Sequence, residues 1–71
     1  MLSTASSNQI GMKLKIARIE ARMTQAIAAQ KLHCSIKVLG RIEAGDREPR
    51  ATELFMFSQI YAKSITFFFS E

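Results

Sequence analysis

The chain has 71 residues, 48% of them hydrophobic, and a formal net charge of +4. That length holds one small domain and leaves no room beside it for a large internal cleft or a linked ligand-sensing domain. The charge is uneven: residues 13 to 50 hold nine of the ten basic side chains and four of the six acidic ones, whereas residues 51 to 71 are slightly acidic. A basic segment in a short chain suggests a polyanionic partner; the alternative is ordinary solubilising charge.

Composition also narrows the chemistry. Cys34 is the only cysteine, which excludes an intrachain disulfide and fits a reducing, cytoplasmic location. His33 and Cys34 are adjacent, but two possible ligands fall short of a zinc site, so neither a metal nor another cofactor is expected. One histidine and one cysteine, with no phosphate loop and no carboxylate pair at motif spacing, argue against an enzyme. The first eleven residues lack the basic start and apolar run of a signal peptide. No stretch approaches the roughly 18 apolar residues of a membrane span, and the basic charge is spread over several short helices rather than along one membrane-surface helix.

In chain order, residues 1–8, with Ser3, Thr4, Ser6, Ser7 and Asn8, read as a flexible tail, and residues 9–71 as the ordered domain. A first helix starts after Ser7 or Asn8, either of which can cap it. Ile10, Leu14 and Ala17 fall at helical spacing and form its inward face. Met23-Thr24-Gln25 reads as a break and restart. Thr24 caps a second helix over residues 25 to 32, with Ala28, Ala29 and Leu32 inward. Leu32-His33-Cys34-Ser35 is a tight turn, and Ser35 caps a third helix.

In that third helix Leu39 and Ile42 share the inward face, while Ile36, Lys37, Gly40 and Arg41 share the other. Gly45 ends it as a left-handed cap, and a charged loop runs around Pro49. A fourth helix covers about residues 51 to 62. A short fifth starts after Ser64, although Ile, Thr and Phe there also suit a strand. Three glycines, one proline and no earlier strand alternation make the chain all-α.

Two short helices around a tight turn, the second basic and exposed, follow the helix-turn-helix plan. Met23-Thr24-Gln25, Ala29, Leu32, Ser35, Leu39, Arg41-Ile42-Glu43, Gly45 and Pro49 resemble the Cro/C1-type (XRE family) helix-turn-helix proteins. The resemblance covers about residues 10 to 69. Its most specific part is Thr-Gln followed, at the right distance, by Ile-Glu-x-Gly-x-x-x-Pro. It implies a compact five-helix, lambda-repressor-like domain that binds double-stranded DNA, usually as a homodimer on a palindromic operator. Three positions depart from the family pattern. His33 stands where glycine is usual, Ala28 where leucine is usual, and Gly40 lies inside the third helix, where it costs about 1 kcal/mol against alanine.

The resemblance also assigns roles. Gln25, at a helix start, offers its backbone N–H and side-chain amide to a phosphate oxygen, with Thr24 beside it. Ser35, Ile36, Lys37, Gly40 and Arg41 face the bases. Arg41 suits the bidentate bond to guanine, Lys37 a guanine or a phosphate, and Ile36 a thymine methyl; Gly40 allows close approach. Arg18 and Glu43 are implied to form a partly buried salt bridge between the first and third helices, the competing partner being Arg47 four residues after Glu43. Arg47 and Arg50 lie in the loop that runs along the DNA backbone in this family, where basic residues add sequence-independent affinity.

At the C-terminal end, Leu54, Phe57, Tyr61, Ile65 and Phe68 occupy core positions of the family pattern. Phe55, Met56, Ile60, Phe67 and Phe69 are left without an obvious burial site. A two-fold partner covering them is the simplest expectation, against a fold-back of several over the core. The expected function is therefore a homodimeric transcriptional repressor. The alternative is a protein-interaction module, antitoxin-like or adaptor, that binds another protein through its apolar C-terminus.

Overall fold

In this computed structural model, which describes residues 6–70, five helices follow one another: α1 Ser7–Glu20, α2 Gln25–Leu32, α3 Ile36–Ala44, α4 Ala51–Tyr61 and α5 Ile65–Phe69. No strand occurs among the described residues, and the ambiguous segment after Ser64 is helical.

The helix starts follow from side-chain caps. Ser6 Oγ accepts from the Gln9 N–H at 3.2 Å, and the Gln9 side chain accepts from the Ser6 N–H at 2.8 Å. This reciprocal pair satisfies two amides that the helix itself leaves free. The cap therefore precedes the expected Ser7, and Ser7 and Asn8 belong to α1 rather than to a tail. The rest of the expected tail, residues 1 to 5, lies outside the described residues. Thr24 Oγ1 caps α2 through the Ile27 N–H at 3.1 Å, and Ser35 Oγ caps α3 through the Val38 N–H at 3.1 Å. Arg22 and His33 both take left-handed backbone, at φ 59° and 57°. His33 does so at the end of α2, where the family pattern has glycine. Gly45 ends α3 at φ 84°.

The core collects apolar faces from all five helices. Leu14, Leu39, Ile42, Phe57 and Phe68 are fully buried. Ala28 is buried and Ile27 exposed, so the missing leucine is met by a small side chain at the same inward position, not by a rotation of α2. Gly11 sits where α1 crosses α3. A Cβ at Gly11 would lie 2.5 Å from the Ile42 carbonyl oxygen and 2.6 Å from that of Glu43, so only glycine admits this approach.

The C-terminal segment uses more of its apolar surface internally than the sequence suggests. α5 turns back onto α1 and α4 and carries Phe68 into the core. Met56, Ile60 and Phe67 pack half-buried against that core. The Phe67 ring meets Phe68 edge-on at 5.6 Å, and the Lys13 and Lys63 ammonium groups stand 4.9 and 4.8 Å from its centroid. Of the five residues expected at a dimer face, only Phe55 and Phe69 are exposed. Ile65, expected in the core, is exposed as well: it is the first residue of α5, and Phe68, one turn on, is the residue of that helix that is buried.

Candidate nucleic-acid interface

The site is organised from beneath by one carboxylate. Glu43 on α3 is buried, and a charge there needs donors on every side. Arg18 on α1 supplies two, Nε to Oε2 at 2.7 Å and Nη2 to Oε1 at 3.2 Å. Its Nη1 donates to the Met23 carbonyl at 2.9 Å, which holds the α1–α2 turn. Gln25, the first residue of α2, donates Nε2 to Glu43 Oε1 at 3.0 Å. Three helices thus meet on one side chain, and the angle of α3 against α2 is set by directional bonds.

The alternative Glu43–Arg47 pair does not form. Arg47 instead makes a fork with Glu53 of α4, at 3.0 and 3.1 Å. Glu53 also accepts from the Arg50 N–H at 2.8 Å and so caps α4. Partial burial works to raise the Glu53 carboxyl pKa, but the bonds from Arg47 and the Arg50 N–H outweigh it and hold the group below its ordinary value.

Two members of the expected phosphate set also hold internal contacts. The Gln25 amide and the Arg47 guanidinium both have internal partners, because a buried and a half-buried carboxylate claim them. Beside them stand the Gln25 and Ala26 amides at the start of α2, which have no intrahelical acceptor, together with the exposed Thr24 and Arg50.

The outer face of α3 lies beside that helix start. Ser35, Ile36, Lys37 and Arg41 are exposed, Ile36 to 51%. Ser35 Oγ is occupied as an acceptor by the cap, and its proton stays available to donate. A Cβ at Gly40 would meet nothing closer than Gln25 Nε2 at 3.9 Å. The fold does not require glycine there, in contrast to Gly11. The bare backbone at position 40 is therefore a property of the surface.

His33 is exposed in the turn and Cys34 half-buried behind it, where burial pushes the thiol pKa up. No group of three potential metal ligands occurs among the described residues. Tyr61 is buried with its hydroxyl unpaired among the described residues, and burial drives its pKa well above the ordinary phenol value.

Sequence reasoning passed over two residues that shape the site. Glu53 carries a readable signal, an acidic side chain three residues after the helix cap, facing the first-turn amides. Gly11 carries none, since nothing in its neighbours announces a crossing with α3 at Ile42 and Glu43.

Residues 9–62 match the helix-turn-helix domain family, a domain found in XRE-like DNA-binding proteins, and the chain belongs to that family. Among solved structures, the crystal structure of apo-HppE has the same fold. It superimposes with a TM-score of 0.84 over 93% of this chain, at 22% identity. The match occupies 37% of the apo-HppE chain, so the present chain spans well under half of that length. No curated protein matches the chain. No helix among the described residues is long and apolar enough to cross a membrane.

Proposed function

We propose that this domain is a sequence-specific DNA-binding regulator that acts as a homodimeric repressor on a palindromic operator. The observation that carries the reading is the outer face of α3. An isoleucine, a lysine, a bare glycine and an arginine are displayed beside a helix N-terminus, on a helix whose pose is fixed from below. Exposed isoleucine is poor solubilising design and good shape for a thymine methyl. Arg41 reads guanine O6 and N7, Lys37 a guanine or phosphate, and the gap at Gly40 lets the helix sit deep in the major groove. The first amides of α2, Thr24 and Arg50 hold the phosphate backbone. Repression follows from occupancy alone, with no polymerase contact needed.

Two copies place their α3 helices about 34 Å apart, in successive major grooves. Phe55 and Phe69 supply the apolar part of the C-terminal contact between them. The chemistry uses no cofactor and fits a cytoplasmic location. The same two phenylalanines suit a different protein partner, the adaptor role. Sedimentation separates these: the repressor reading expects a dimer at tens of micromolar, and a monomer contradicts it.

Fluorescence-anisotropy titration tests the DNA reading. With six or more phosphates neutralised per dimer, affinity falls about a thousandfold or more between 50 and 200 mM salt. Arg41→Ala costs about 1–3 kcal/mol at one base position, whereas Arg50→Ala weakens all duplexes alike and lowers the salt slope by about one. A shallow salt dependence without preference over random duplex contradicts the proposal.

A further inference from the structure

The bare backbone at Gly40 opens onto a side chain of another helix. Gln25, the first residue of α2, donates Nε2 to Glu43 Oε1 at 3.0 Å. An ionised carboxylate only accepts, so the amide is held with its nitrogen toward Glu43 and does not turn over. The NH2 group carries two hydrogens, and Glu43 takes one. The second has no acceptor among the described residues. This same nitrogen is the atom nearest to where a Cβ at Gly40 would stand, at 3.9 Å. Gln25 and Gly40 are both half-buried.

Position 40 lies inside the outer face of α3. Ile36 stands one turn before it, with Lys37 and Arg41 at its side. Glu43, three residues on, adjoins it on the flank toward Gln25. Phosphates border the major groove and base edges form its floor. With α3 in the groove, whatever passes position 40 meets the floor. We infer that Gln25, held by Glu43 and left uncovered by Gly40, is a further base-reading residue. Its second amide N–H donates to a base acceptor: a purine N7, guanine O6 or thymine O4. Cytosine presents only its N4 donor there and is rejected. An acceptor seated against the Gly40 backbone stands within about 1 Å of hydrogen-bond distance from Nε2, and the fit of the duplex takes up the difference. The inference rests on the proposed reading of DNA by α3 and adds to it a residue from outside that helix. It moves the Gln25 side chain from phosphate to base; the Gln25 backbone N–H stays with the phosphate.

Selection of bound duplexes from a random pool tests this, with the wild-type chain, Gln25→Ala, Gly40→Ala and Arg41→Ala side by side. The wild type disfavours cytosine about threefold to tenfold at one position of each half-site, separate from the guanine read by Arg41. Gln25→Ala loses this discrimination and keeps the Arg41 guanine, the sign that α3 holds its pose. Gly40→Ala loses it at the same position, because the added methyl covers Nε2, and combining the two substitutions changes that position no further. Arg41→Ala does the converse. Circular dichroism of each variant verifies the fold. Uniform weakening by Gln25→Ala without a change of preference assigns the side chain to phosphate and overturns the inference. Loss of the Arg41 guanine in Gln25→Ala, or an unchanged preference in Gly40→Ala, overturns it as well. In all three cases the wild-type consensus, and with it the proposed function, stands. A wild-type chain that enriches no sequence removes both.

Discussion

In the N-terminal half, α1, α2 and α3 meet on a carboxylate; in the C-terminal half, α4 and α5 each bring aromatic rings to the apolar core. Glu43 accepts from Arg18 and Gln25 at 2.7 to 3.2 Å, and Gly11 lets α1 and α3 touch backbone to backbone. Within α4, Phe57 stacks on Tyr61 at 5.6 Å, and within α5, Phe67 meets Phe68 at the same distance. α2 and α3 open on side-chain hydroxyl caps, whereas Arg50 and Ser64 make no side-chain cap bond to α4 and α5. Hydrogen bonds fix angles; ring packing fixes contact and tolerates small shifts. The helices of the half that carries α3 are thus joined to one another by directional contacts.

Substitutions break this comparison in order of size. Arg18→Met and Phe68→Ala are each expected to cost about 3–5 kcal/mol in thermal or denaturant unfolding, one by stranding a buried charge and the other by leaving a cavity. The halves then part company. Adding Glu43→Met to Arg18→Met recovers most of the loss, because no uncompensated charge remains; if the double variant stays as unstable as the single one, the carboxylate is not the organising centre.

Gly11→Ala comes next, at about 3 kcal/mol, since the added methyl meets two carbonyl oxygens that cannot yield independently. A melting temperature equal to that of the parent chain would show that the crossing is looser than described. Gly40→Ala is expected to stabilise by about 1 kcal/mol, because its Cβ has open space, and to weaken duplex binding by intruding on the groove. Stability and affinity moving in the same direction would contradict the role given to that bare backbone. The smallest effect falls in the aromatic half. Tyr61→Phe removes a buried hydroxyl without a partner and should be neutral or stabilising by up to about 1 kcal/mol. A clear loss would reveal a bond that the packing does not show.

Much of the fold is local and therefore legible. Thr24, Ser35 and Gly45 are recognisable caps, and the helical spacing of Ile10, Leu14 and Ala17 identifies the inward face of α1. His33 takes left-handed backbone at the place where the family has glycine. The Arg18–Glu43 bond came from the resemblance, since 25 residues separate the partners and no spacing rule connects them. What stayed illegible depends on which distant groups compete for the same partner. Gln25 and Arg47 look like free donors in sequence, and only the fold shows the carboxylates that claim them. Met56, Ile60 and Phe67 look surplus until α5 folds back on α1. Gly11 has the same status as any helical glycine until α3 is laid across it.

The central claim is that the outer face of α3 reads sequence. Selection of bound duplexes from a random pool tests it most directly, run in parallel with the wild-type chain and Arg41→Ala. The account predicts a palindromic consensus for the wild type and the loss of preference at one guanine in each half-site for the variant. Enrichment of no sequence by the wild type, or the same consensus from both chains, would contradict it.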